Sequence, residues 1–279
     1  MCAFIIKNFM KFIRQYTLIV LVCSLVSTAG LAQTKYKKLV WADEFSYTGL
    51  PDSARWDYDH ARGCPVNCGW GNQEAQYYTW NRKKNARVEN GMLVLEAHKE
   101  MMQDAQYTST RLVTRNKGDW KYGRIEIRAK LPIGKGIWPA IWMLPTDNQY
   151  GIWPRSGEID IMEFVGFNPD SVFGTIHTEA YNGMRGTQKV KGISLKNLST
   201  AFHTYAIEWS EQAITFFVDD QPINHFTNDH QNQFATWPFD QRFHLILNIA
   251  VGGNWGGKYG IDDSIFPQQL LIDYVRVYQ

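Results

Sequence analysis

The feature that most constrains this chain is an alternation of apolar and polar residues with a period of two. It recurs over residues 92–97, 124–131, 203–209, 213–218 and 271–278. In the second of these, Ile125, Ile127, Ala129 and Leu131 share one side. Each stretch reads as a half-buried antiparallel strand. No run longer than about ten residues carries apolar positions three and four apart, so any helix is short and peripheral. The class is therefore all-β. No Ser/Pro-rich linker, charge run or internal repeat divides residues 33–279, which are expected to form a single domain. Many strands in one domain of this length imply a β-sandwich of two antiparallel sheets, of jelly-roll type, or a closed barrel. A concave sheet face then makes a groove.

Composition narrows the function only by exclusion. Lys and Arg number 29 against 27 Asp and Glu, which gives no electrostatic footprint for nucleic acid, and 44% apolar residues exclude disorder. The aromatic share is 14%, with 11 Trp and 14 Tyr. Flat rings with a polar handle suit stacking on sugars, although core filling accounts for many of them. Residues 1–32 hold Lys7, Lys11 and Arg14, no acid, an apolar run over 17–26 and small residues at Gly30 and Ala32. This is the pattern of a secretory signal peptide cut before Gln33, with Met10 a possible alternative start. The run is shorter than the roughly 20 residues a membrane span requires, so no stable membrane insertion is expected. Val22 precedes Cys23 where a lipoprotein would have a small residue. The expected destination is extracellular or periplasmic, and the remaining chain is close to neutral. It keeps two cysteines, Cys64 and Cys68, which an oxidising compartment would join. Zinc held with His60 is the alternative, and it lacks a fourth nearby ligand.

The chemistry concentrates in Ser156-Gly157-Glu158-Ile159-Asp160-Ile161-Met162-Glu163-Phe164. In a regular strand Glu158 and Asp160 share a face, whereas Glu163 has the wrong parity and would enter the core with Ile159 and Ile161, at high cost for a carboxylate. A β-bulge near Ile161-Met162 absorbs one residue and returns Glu163 to its companions. The Glu158 and Glu163 Cα atoms then stand about 13 Å apart at roughly 3.3 Å per step. Side chains leaning together bring the carboxyl groups to about 5 Å, the separation of retaining rather than inverting glycosidases. Asp160 between them should raise at least one pKa of the group and let a proton be shared. A strand that simply exposes acids is the bland reading, and three acids on one face make it less comfortable.

Residues 158–163 resemble the catalytic signature of glycoside hydrolase family 16, in its bulged version. Other segments look like bacterial laminarinases of that family: Trp41-Ala42-Asp43-Glu44-Phe45, Gly69-Trp70-Gly71-Asn72-Gln73-Glu74, Trp138-Pro139-Ala140-Ile141-Trp142, Gly252-Gly253-Asn254-Trp255-Gly256-Gly257 and Asp273-Tyr274-Val275-Arg276. The resemblance implies a jelly roll with a cleft, Glu158 as nucleophile, Asp160 as its assistant and Glu163 as general acid/base. Spacing alone does not tell Glu158 from Glu163. It further implies a sugar platform at Trp138 and Trp142, and cleft positions at Asn72, Glu74, Arg111, His177 and Trp255. His177 reads equally well as a structural histidine. No cofactor is implied for catalysis. A structural calcium ion would use Glu44, the Gly91 carbonyl and Asp273, although three scattered residues are also what an ordinary strand edge offers.

The function expected is a secreted, monomeric, retaining endo-β-glucanase acting on 1,3-β-glucan such as laminarin, with mixed-linkage 1,3-1,4-glucan also accepted. A non-catalytic glucan binder on the same fold is one rival, but it has no need of two acids forced to one face. A hydrolase of agar- or carrageenan-type galactans is the other, and near-neutral charge gives it no support.

Overall fold

The computed structural model describes residues 35–231 and 233–279, so the expected signal peptide lies outside the described residues. In chain order the strands are β1 (Leu39–Asp43), β2 (Asp57–Tyr58), β3 (Gln76–Tyr78), β4 (Ala86–Glu89), β5 (Met92–Met102), β6 (Ala105–Ser109), β7 (Arg111–Val113), β8 (Asp119–Trp120) and β9 (Gly123–Lys130). There follow β10 (Ile137–Pro145), β11 (Glu158–Glu163), β12 (Ser171–His177), β13 (Lys189–Ser194), β14 (His203–Trp209), β15 (Ala213–Val218), β16 (Gln221–Thr227), β17 (Phe243–Val251) and β18 (Gln268–Tyr278). All five alternating stretches are strands, and β14 and β15 have the bounds the alternation gives. Helical structure among the described residues is limited to three short 3-10 turns.

Two sheets form. One has ten strands in the order β16-β15-β14-β9-β18-β5-β6-β3, with β1 added on β18 and β4 on β5. The other has eight, β13-β12-β11-β10-β17-β7-β2, with β8 on β17. Every pairing is antiparallel except β3 with β6. Alternation then decides the layers. Ile125, Ile127, Ile207 and Val275 of the larger sheet join Ile141, Met143, Ile159, Leu245 and Leu247 of the smaller in one hydrophobic core. The opposite-parity residues of the smaller sheet, among them Trp138, Trp142, Glu158, Asp160 and Asn248, occupy its other face. β17 is buried at all nine positions, because loops and neighbouring side chains cover that second face as well. No helix among the described residues is long and apolar enough to cross a membrane.

Two local features position the site. Gly157 takes φ +85°, and a Cβ there would lie 2.7 Å from Pro238, so only glycine fits the turn that launches β11. Cys64 and Cys68 are disulfide-bonded, which leaves no thiolate for a metal beside His60.

Candidate active site

The acids of β11 are brought together by one register shift. Against β10, Trp142 faces Asp160 and Ile141 faces Met162; against β12, Asp160 faces Thr175 and Glu163 faces Phe173. Ile161 and Met162 are both buried in the core, so one extra residue is absorbed there and Glu163 returns to the face of Glu158 and Asp160. The bulge required by side-chain parity is present.

Each acid then meets a different environment. Asp160 is 3% exposed, and burial, with the charges of Glu158 and Glu163 added, holds its carboxyl well above the usual carboxylate range. It shares a hydrogen bond with Glu158. Glu163 accepts a 3.0 Å bond from Thr175 Oγ1. Burial pushes it up to about 7; the His177 ring and hydrogen bonds from Thr175 and Trp138 oppose that rise, and the charge of Glu158 adds to it. Among the described residues no Lys or Arg forms an ion pair with any of the three.

His177, opposite Glu158 in the sheet, supplies the remaining polar contact. Its Nδ1 accepts the Gly183 amide at 3.2 Å, so a neutral ring carries its proton on Nε2. That nitrogen lies 3.4 Å from Asp160 Oδ2 and 3.8 Å from Glu158 Oε1. The 3.4 Å approach is too poorly aligned for a hydrogen bond, and Asp160 Oδ2 is otherwise unpartnered. The ligand atoms of Glu158, Asp160 and His177 lie within 4.8 Å of one another.

The aromatic floor is held from below. Trp138 meets the edge of Trp255 at a centroid distance of 5.6 Å, and Trp255 packs on Phe173 at 5.3 Å. Gly256 lies so close that a Cβ would sit 2.7 Å from Trp138 Cβ. Trp142 Nε1 donates to Asn248 Oδ1 at 2.7 Å, Asn248 Nδ2 donates to the Tyr78 hydroxyl at 2.9 Å, and that hydroxyl donates to Glu74 at 3.2 Å. Gln76 and Asn72 also donate to Glu74, at 2.6 and 3.5 Å. Glu74 is 7% exposed, and burial raises its pKa against those bonds. Arg111 is sandwiched between Trp70 and Trp142, 4.6 and 4.7 Å from the ring centroids. The chain of bonds from Glu74 to Trp142 fixes the plane of the indole.

Asn72, Glu74, Arg111, Trp138, Trp142, His177 and Trp255 thus gather around the trio or the floor beside it. Reading the sequence for sites missed Gln76, Tyr78 and Asn248. Polar residues inside otherwise apolar strands were the signal available for them. The residues expected to hold calcium behave differently. β18 runs beside both β1 and β5, which brings Glu44, Gly91 and Asp273 to one corner of the larger sheet. There Arg276 donates to both Glu44 oxygens at 2.7 and 2.8 Å, holding that carboxyl below its ordinary range, and Arg128 pairs with Asp273. Arg276 thus engages both Glu44 oxygens and Arg128 engages Asp273 through Oδ2, so an ion at this corner would have to displace guanidinium groups from the carboxylates.

An acid with a raised pKa beside a second carboxylate, on a sheet face carrying tryptophans, has the parts for splitting a glycosidic bond. Residues 72–276 match the family described as Glycosyl hydrolases family 16. The chain is 51% identical, over 288 aligned positions, to a protein of Rhodothermus marinus named beta-glucanase, covering 100% of this chain and 99% of that one. It is 41% identical over 238 positions to a glucan endo-1,3-beta-glucosidase of Cryptopygus antarcticus, covering 81% and 84%. The X-ray structure of the laminarinase from Rhodothermus marinus superposes with a TM-score of 0.84 at 56% identity, over 87% of this chain and 97% of that one.

Proposed function

We propose, from the premise that this chain belongs to glycosyl hydrolase family 16 and is a glycoside hydrolase, that it is a secreted, retaining endo-β-glucanase. Its substrate is 1,3-β-glucan such as laminarin, with mixed-linkage 1,3-1,4-glucan also cleaved. The names of its relatives, a beta-glucanase and a glucan endo-1,3-beta-glucosidase, support that substrate class. Catalysis in this family needs no cofactor.

In this reading Glu158 is the nucleophile. Its carboxylate attacks the anomeric carbon while Glu163, protonated because burial raises its pKa, gives its proton to the departing glycosidic oxygen. A covalent glycosyl-enzyme results. Glu163, now ionised, takes a proton from water, and the water displaces Glu158 with a second inversion, so configuration is retained overall. Asp160 keeps its own proton and donates to Glu158, which holds that carboxylate in line. His177 presents Nε2–H to the same pair and limits their repulsion. Trp138 and Trp142 give the sugar its platform, and Arg111, Asn72, Glu74 and Trp255 shape the floor around it.

The observation that carries this reading is the register shift at Ile161–Met162, which puts the third carboxylate on the face of the first two. Incubating the mature protein with laminarin, lichenan, agarose and carrageenan, and sizing the products, tests it. Shortened chains are expected from the first two polymers. NMR of the first product should show the retained β-anomer, and an initial α-anomer would remove the double displacement.

The secreted form is taken to be a monomer, residues 33–279 forming one catalytic domain after the leader is cut. Calcium at the Glu44–Gly91–Asp273 corner is not carried into this reading, because the two arginines already occupy the carboxylates. A chelator is expected to leave the Tm unchanged, and a fall of several degrees would reinstate the ion.

A further inference from the structure

Glu163 has to serve in two charge states, and its surroundings treat them unequally. As an acid it carries a proton; once that proton has left, it is a carboxylate partly withdrawn from water. Of the titratable groups that face it, Glu158 and Asp160 are acids on its own strand, and His177 on β12 directs Nε2 towards those two. Across β10 its partner is Ala140, which offers nothing polar. Two side-chain donors remain, the Trp138 indole and the Thr175 hydroxyl.

The bulge is what delivers the hydroxyl. On β12, Thr175 pairs with Asp160, and Phe173, two residues before it, pairs with Glu163. Residues two apart share a face, so Thr175 and Glu163 meet on a diagonal of one face. Without the extra residue at Ile161–Met162, Glu163 would turn to the core and leave the reach of Thr175. Thr175 is 2% exposed, and its Oγ1 lies 3.0 Å from Glu163 Oε2. That hydroxyl has one proton and, among the described residues, no other side-chain or backbone partner. Towards a neutral carboxyl group it can donate or accept; towards a carboxylate it can only donate. Hydrogen bonds to a charged group are the stronger kind, so this contact favours the ionised state.

We propose that Thr175 is a positioning residue for the second half of the double displacement, its hydroxyl holding ionised Glu163 in place to draw the proton from the attacking water. In that step the water oxygen bonds to the anomeric carbon and the water proton passes to Glu163. The bond between the sugar and Glu158 breaks, its electron pair returning to the Glu158 carboxylate. Formation of the glycosyl-enzyme starts from protonated Glu163 and depends on the hydroxyl less. The proposal rests on the retaining β-glucanase reading and deepens it.

The test uses the 2,4-dinitrophenyl β-glycoside of laminaribiose, whose leaving group departs without a proton. On it kcat/KM reports formation of the glycosyl-enzyme, and kcat reports its breakdown. Thr175→Val keeps the side-chain shape and removes the hydroxyl. It should lower kcat about tenfold and kcat/KM by less than about threefold, so that KM falls and a burst of dinitrophenol marks the first turnover. Thr175→Ser, which keeps a hydroxyl, should stay within about twofold of wild type. Equal losses in kcat and kcat/KM, an unchanged kcat, or a serine variant as slow as the valine one overturn the proposal. If Thr175→Val does not fold, Thr175→Ala is measured in its place against the same outcomes. If the wild type releases no dinitrophenol, the hydrolase reading falls, and carbon-13 NMR titration of the Glu163 carboxyl decides the role of Thr175 alone. Titration about one pH unit higher in the variant upholds the hold on the ionised form, and identical titration removes it.

Discussion

Acidic residues on the two sheets meet opposite fates. On the larger sheet, Glu100 contacts Arg82, Lys84 and Thr108, and Glu44 contacts Arg276. Those cations and hydrogen bonds pull Glu100 down to about 2. On the smaller sheet, Glu163 has a hydroxyl and an indole for company and is pushed up to about 7. The side chain is the same and the strand geometry is similar. Two things separate them: Glu163 is buried with no guanidinium or ammonium group to offset the lost hydration, whereas Glu100 is nearer to water and has Arg82 and Lys84 beside it.

That contrast breaks most sharply under mutation. Glu158→Ala and Glu163→Ala should each lower kcat on laminarin by a factor on the order of 10³ or more, with the Tm preserved. Near-normal activity in Glu163→Ala would undo the assignment of roles. Asp160→Ala comes next, with a loss on the order of 10²-fold, because it acts through Glu158; a loss equal to that of Glu158→Ala would make it an equal partner.

The pH dependence should run in opposite directions on the two sheets. Glu163 has a folded pKa of about 7 against an ordinary 4.5, so its protonated form is the one the fold favours. Its contribution to stability is present below about pH 4.5 and is lost as pH rises towards 7. Activity should decline above about 7 for the same reason, since the acid then lacks its proton. Glu163→Gln should remove that stability slope, which Tm scans between pH 4 and 8 would show. Glu100 has its pKa lowered from 4.5 to about 2, so its contribution is present above 4.5 and fades as pH falls towards 2. Glu100→Gln should lower the Tm slightly at pH 7 and leave it unaltered at pH 2. This is the smallest effect, because much of the pair is open to water.

How far the sequence revealed the molecule followed from what alternation can encode. β14 and β15 were legible because one face is buried and the other is not. The bulge was legible because a misplaced carboxylate is expensive, and parity shows where the misplacement lies. β17 was harder to read. It is covered on both sides, so Asn248 and His244 sit in a nearly continuous apolar run and nothing local marks which face they serve. Tyr78 and Gln76 reach Glu74 only through pairings between distant segments. At the Glu44 corner nothing local in the sequence marks Arg276 as the partner of Glu44 or Arg128 as the partner of Asp273, because both pairs form between distant segments.

The extra residue at Ile161–Met162 has an evolutionary corollary. Removing it shortens the span from Glu158 to Glu163 from five positions to four, and even spacing keeps all three carboxyl groups on one side of a plain strand. A single codon can therefore come or go at this point in descent without disarming the enzyme. The same loss or gain between Glu158 and Asp160 would turn one of them into the greasy interior. Tolerance to length change in this strand is thus confined to its second half.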